Sequence, residues 1–224
     1  MKRSVLILVT LAIFAMTVLS GCKKTVDLTE NISRLRSDVL FGCNDDFALT
    51  AYPETRERPL IADGSVSPNE QVVILKLKAL KGQEGKFQVK FTTDKEYTLD
   101  FSFSAYSDCF VASVSVEKLP YKQVNATICH NDDTVDLTLC SLLKADTVTP
   151  ERAVKSVCEH KKEYIEQNSA SSTFKGEVYV RLICENDKNF WYVGLITKEK
   201  TLALLVDGKT GKILSEKSLI NTLG

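Results

Sequence analysis

The sequence predicts an α+β protein that is mainly β, with an N-terminal antiparallel β-sandwich followed by a helix-plus-antiparallel-sheet domain. Three observations lead there. From Asp46 to Leu139 apolar residues alternate with polar ones at a period of two, the pattern of antiparallel strands with one wet face. From Thr149 the period lengthens to that of an amphipathic helix. After residue 172 the period of two returns in three further runs.

The chain opens MKRSVLILVTLAIFAMTVLSGCKK. Lys2 and Arg3 form a charged start, and Val5 to Val18 form an apolar run of fourteen residues. A membrane span needs about 20 residues, so this run has the length of a signal-peptide core instead. Leu19-Ser20-Gly21-Cys22 follows it and resembles the lipobox of bacterial lipoproteins. The resemblance implies cleavage before Cys22, diacylation of its thiol, and attachment to the lipid bilayer at the outer face of the bacterial cell membrane. Two acyl chains suffice for stable anchoring, because each buried methylene contributes about 0.8 kcal/mol.

Losing residues 1–21 removes Lys2 and Arg3 and leaves 27 basic against 29 acidic side chains, a formal charge of −2. Strong electrostatic attraction to nucleic acid needs a basic surplus, so no nucleic-acid partner is expected. No later apolar run is long enough to span a bilayer. Residues 22–42 place Leu28, Ile32, Leu35 and Val39 at spacings of four, three and four, which predicts a short helical stalk after the lipidated N-terminus that the lipobox resemblance implies. The sandwich is expected over 43–144 and the second domain over 145–224.

Seven sandwich strands are read from Phe47–Ala51, Val73–Ala79, Phe87–Phe91, Tyr97–Ala105, Phe110–Val116, Val124–Ile128 and Val135–Leu139. KGQEGK and TTDKE between them have the length of hairpin loops. RERPLIADGS, residues 56–65, carries Arg56, Glu57, Arg58 and Asp63, which could meet an anionic partner or bridge two sheets. Around the turn Asn131-Asp132-Asp133, Cys129 is expected to face Asp136 and Cys140 to face Asn125. A bridge between those two cysteines is then out of reach.

Cys43, Cys109, Cys129, Cys140, Cys158 and Cys184 remain beside the lipobox cysteine. An even number in an exported chain suggests disulfides, but there is no CxxC, and mostly free thiols are expected. His130 beside Asp132 and Asp133 lacks further ligands at workable spacing. No metal and no cofactor are expected.

In the second domain Thr149 is a candidate N-cap, Pro150 suits the first helical position and Glu151 the positive helix end. Ala153, Val154, Val157, Cys158 and Ile165 share one face of a helix of about 17 residues. Strands are expected over 177–184, 190–197 and 201–206. Cys158 and Cys184 fall on apolar faces and read as core residues, as does Trp191, in phase with Val193 and Leu195.

LALLVDGKTGKIL, residues 202–214, contains GKT, the end of a phosphate-binding loop. A true loop has G-x-x-x-x-G-K-[ST], and the position of its first glycine is Ala203. No nucleotide is expected. Asp207–Lys212 reads instead as a turn in which Gly208 and Gly211 supply positive φ, with a strand continuing at Ile213-Leu214. Helix, three strands and V-D-x-x-T-G-K-I-L resemble the PepSY domain of secreted and membrane-anchored bacterial proteins, carried by TPERAVKSV, WYVGLI and LLVDGKTGKIL over residues 149–216. The resemblance implies a non-enzymatic module with an inhibitory or interaction role near peptidases, and no catalytic residues. The N-terminal half resembles uncharacterised clostridial lipoproteins.

The expected function is therefore a non-enzymatic binding or regulatory module that modulates a peptidase or another cell-envelope protein. The alternative is a cell-envelope hydrolase using one of the six thiols with His130 or His160. Nucleophile and base must meet in space. Cys129 and His130 point to opposite faces of a strand, and Cys158 and His160 diverge by about 200° on a helix.

Overall fold

The computed structural model describes residues 26–29, 32–59, 67–170 and 173–221. Cys22 and the rest of the lipobox lie outside them. The strands are β1 (Ile32–Arg36), β2 (Leu40–Cys43), β3 (Phe47–Glu57), β4 (Asn69–Ala79), β5 (Phe87–Thr92), β6 (Glu96–Asp100), β7 (Ser102–Ser104), β8 (Cys109–Val116), β9 (Gln123–His130) and β10 (Asp133–Ser141). Helices α1 (Pro150–His160) and α2 (Lys162–Gln167) follow. The short β11 (Ser169–Ala170) and β12 (Thr173–Phe174) precede β13 (Glu177–Glu185), β14 (Lys188–Ile196), β15 (Lys200–Asp207) and β16 (Ile213–Ile220).

Fourteen of these strands form one mixed sheet. Its path runs β16-β15-β14-β13-β1-β3-β2-β10-β9-β5-β6, and β4, β8 and β7 continue from the other edge of β3. The β1–β13 ladder is parallel. The protein is thus mainly β with few helices.

Two apolar cores lie along this sheet. Leu40, Leu49, Leu75, Phe87, Val89, Ile128 and Leu139 belong to the first, fed by β2 to β10. In the second, α1 and α2 lay Ala153, Val154, Val157 and Ile165 on Val180, Trp191, Leu195 and Leu204. Trp191 is 1% exposed, and its indole N–H donates to the Val148 carbonyl at 2.9 Å, so the largest side chain of this core also has its polar group satisfied.

Residues 22–42 differ from expectation. Instead of a helical stalk, the described residues from Ile32 onward supply β1 and β2, separated by three residues. Val26 and Leu28 are buried in the second core, against which Ile32 and Leu35 also pack. The helical spacing of those residues was real, but the two free edges of β13 and β3 offer the backbone a ladder on both sides. Local propensity yields to such pairing.

Other differences are local. The single strand expected over Tyr97–Ala105 is two, β6 on β5 and β7 on β8, with Phe101 between them contributing to the first core. KGQEGK is not a hairpin loop, because β4 pairs with β3 and β8 and β5 pairs with β6 and β9. The β9–β10 turn holds two residues, with His130 opposite Asp133 and Asn131 at φ 54°. That tight turn places Cys129 opposite Thr134 and Cys140 opposite Gln123, not Asp136 and Asn125. The long helix is broken at Lys161, where φ −113° and ψ 27° end α1. The strand expected to continue only through Ile213-Leu214 is the eight-residue β16.

Leu28 is fully buried, so Leu28→Ala is expected to destabilise the second core by about 3 kcal/mol. Residues 145–224 alone, which lack Val26, Leu28 and β1, are expected to show red-shifted, readily quenched Trp191 fluorescence. A blue-shifted, protected emission from that fragment would mean that β1 is dispensable.

Candidate functional site

The turn after β15 is built around one carboxylate. Asp207 Oδ1 accepts from the Lys209 amide at 3.1 Å, the Thr210 amide at 2.7 Å and the Thr210 hydroxyl at 2.7 Å. These bonds, the Thr210 hydroxyl first, hold its pKa below the ordinary 3.8. Gly211 has φ +72°, as the turn reading requires. Gly208 is needed for a different reason than expected. Its φ is not in the left-handed region, but a Cβ there would meet the Asn189 carbonyl oxygen at 2.3 Å. The same glycine donates its N–H to Asn189 and accepts from Val148, so the turn, β14 and the entry to α1 meet at one bare backbone.

The amides of this turn are therefore used internally and wrap a side chain of the chain itself, where a phosphate loop would leave them for a ligand. Beside it lies a cleft of ≈ 340 Å³ lined by Lys144, Asp146, Asp187, Asn189, Lys209 and neighbours. Two ion pairs line it, Lys144 with Asp187 at 2.7 Å and Lys209 with Asp146 at 3.0 Å.

Cys43, Cys109, Cys129, Cys140, Cys158 and Cys184 are all free thiols. Burial pushes the Cys184 thiol up to about 11, with Asp38 adding to the effect. Burial likewise raises Cys158, which borders a ≈ 740 Å³ groove between α1 and Val26–Thr29. Such thiols are protonated at neutral pH and are weak nucleophiles.

The ring of His130 stacks on Phe87 at 4.4 Å, and its Nε2 pairs with the Glu84 carbonyl at 2.9 Å. The Nε2 of His160 lies 3.3 Å from Glu216. Neither hydrogen-bonds a cysteine among the described residues, and no group of three His, Cys, Asp or Glu residues there could hold a metal ion.

A constellation missed by sequence reasoning sits where β1 joins the sheet. Glu54, 1% exposed, receives Arg34 at 2.7 Å and Arg36 at 3.2 Å. Glu70 receives Arg56 at 2.7 Å and Arg58 at 3.2 Å, and the Ser115 hydroxyl donates to it. Guanidiniums also lie over aromatic rings: Arg36 over Tyr52 and Arg181 over Tyr192, both at 4.3 Å, and Arg34 near Tyr179 at 5.6 Å. Of these, the sequence had flagged only the 56–65 loop, and residues 60–66 lie outside the described residues. The other arginines and the tyrosines come from β1, β3, β13 and β14, and no local signal in the sequence brings them together.

Neither a protein family nor a curated protein matches the chain. It is similar to the crystal structure of a chain described as a lipoprotein from Clostridium difficile 630, at 14% identity over 59% of this chain and 80% of that one, with a TM-score of 0.26. A likeness of that size carries no argument about fold or function.

The Asp207 turn yields a pH test. Its folded pKa is lowered, so it contributes stability that is complete above the ordinary value and lost as the pH falls through the lowered one. The melting-temperature gap between the unmodified chain and Asp207→Asn is expected to stay constant above about pH 5 and to close in stronger acid. A gap unchanged down to about pH 2 would assign the turn's stability to something other than this charge.

Proposed function

We propose that the protein is a membrane-anchored extracytoplasmic lipoprotein that acts as a non-enzymatic binding or regulatory module. In this reading acylated Cys22 holds it in the bilayer, β2 to β10 form a β-sandwich, and α1 with β13 to β16 forms a PepSY-like domain. The partner is a peptidase or another cell-envelope protein. The observation that carries the reading is the continuous sheet through β1, which joins both cores. Only three residues of sequence lie between Cys22 and buried Val26, so in this reading the described sheet sits close to the membrane surface.

The chemistry-bearing side chains support the same reading through their present uses. Asp207 closes a turn, and His130 is stacked on Phe87. The raised thiols of Cys158 and Cys184 speak against those two as nucleophiles, and the hydrogen bonds of His130 and His160 to Glu84 and Glu216 speak against either as the base of a cysteine hydrolase.

Two measurements test the proposal together. Cys22→Ala is expected to abolish incorporation of labelled palmitate and to leave an unprocessed precursor. In intact cells, a photo-crosslinker at exposed sites is expected to capture a discrete envelope protein from the lipidated chain and to lose it in Cys22→Ala. Lipid labelling of the variant would remove the anchor. Hydrolysis of envelope peptides or glycans by the purified chain would replace the binding module with an enzyme.

A further inference from the structure

The sheet face opposite α1 is one surface from β16 to β4, since residues directly opposite across a ladder share a face. Arg34 lies opposite Tyr179 on β13 and opposite Arg56 on β3. Arg36 lies opposite Arg181. Tyr192 faces Arg181 from β14, and Leu205 faces Tyr192 from β15. Among the described residues no helix covers these strands on this side, because α1 packs on the face of Val180, Trp191 and Leu204.

Two features of this face are unfavourable for folding alone. Like charges directly opposite each other destabilise a sheet, yet Arg34 faces Arg56 and Arg36 faces Arg181. Moreover, four guanidiniums, those of Arg34, Arg36, Arg56 and Arg58, share two carboxylates, Glu54 and Glu70. Arg181 is exposed and makes no ion pair among the described residues; its partner is the Tyr192 ring. That ring lies along the strand over Gly194, where a Cβ would come within 2.9 Å of the Tyr192 hydroxyl. The sheet therefore holds a row of arginines and tyrosines in which Arg34, Arg36, Arg56, Arg58 and Arg181 outnumber the in-phase carboxylates Glu54, Glu70 and Glu177, in a protein whose processed form is expected to be slightly acidic.

We infer that this face, centred on Arg181, Tyr192, Arg34 and Arg36, docks an acidic segment of a partner protein, whose carboxylates complete the coordination of the surplus guanidiniums. The inference deepens the binding role proposed above and rests on it. Arginine forks match carboxylates in paired geometry, and arginine with tyrosine is the composition of protein–protein hot spots. An anionic lipid surface attracts lysine and arginine clusters alike, and it is the tyrosine rings between the arginines, a composition enriched at protein interfaces, that favour the protein.

The test uses residues 22–224 with Cys22→Ser, a fluorescein-labelled decaglutamate peptide read by anisotropy, and phosphatidylglycerol vesicles read by sedimentation. The peptide is expected to bind with an affinity that falls as salt rises. Arg181→Glu is expected to weaken it at least about fivefold, and Arg181→Gln less, with melting temperatures showing that both variants are folded. Lys90→Glu, on the exposed side of β5, is expected to leave it unchanged. No peptide binding at low salt, equal losses in Lys90→Glu and Arg181→Glu, or vesicle binding that needs Arg181 while peptide binding does not, would each overturn the inference. A crosslinked envelope partner together with any of these results would leave the binding module standing and remove only this face.

Discussion

β1 is hydrogen-bonded on both edges, parallel to β13 and antiparallel to β3, and the remaining architecture follows from that placement. Without it the four C-terminal strands would end in the open edge of β13, and the N-terminal ladder would end at β3. The side chains of β1 serve both sides at once. Leu35 packs into the core under α1, while Arg34 and Arg36 reach across to Glu54 of β3. A carboxylate 1% exposed carries a desolvation cost of several kcal/mol. The two guanidiniums offset it, and removal of both would leave an uncompensated buried charge. The contact therefore fixes register more surely than it adds net stability.

Residues before β1 extend the same logic. Val26 and Leu28 are the first described apolar residues, and both are buried beneath the helix. The first described segment is thus part of the folded core. At the other end of the helix layer, Val148, Asn189 and Gly208 bind one another through backbone atoms, so the D-x-x-T-G turn fixes where α1 begins. This turn gives the chain its phosphate-loop likeness, and it is spent on holding the helix to the sheet.

Much of this was legible in the sequence where pattern and environment agree. The N-cap at Thr149, the strands alternating from Phe47 to Leu139 and the in-phase core position of Trp191 all express a single buried face. Legibility ended where one residue serves two partners. Leu28, Ile32 and Leu35 carry helical spacing, but a strand hydrogen-bonded on both edges to segments more than 15 residues away cannot be inferred from local period. Phe101 hides a break between β6 and β7 because it is apolar on both readings. A two-residue turn at Asn131 changed every cross-strand partner of Cys129 and Cys140, since register depends on turn length. The arginine–tyrosine face was invisible for a related reason: its members come from β1, β3, β13 and β14, and only the ladder brings them into a row.

Native-state hydrogen exchange of β1 tests most directly whether this strand unites the molecule. Amides of Leu35 and Arg36 are expected to exchange only through global unfolding, with the same free energy as the slowest amides of β3 and β13. Fast local exchange in Ile32–Arg36, with β3 and β13 still protected, would show two separately stable halves and contradict the shared sheet as the organising element.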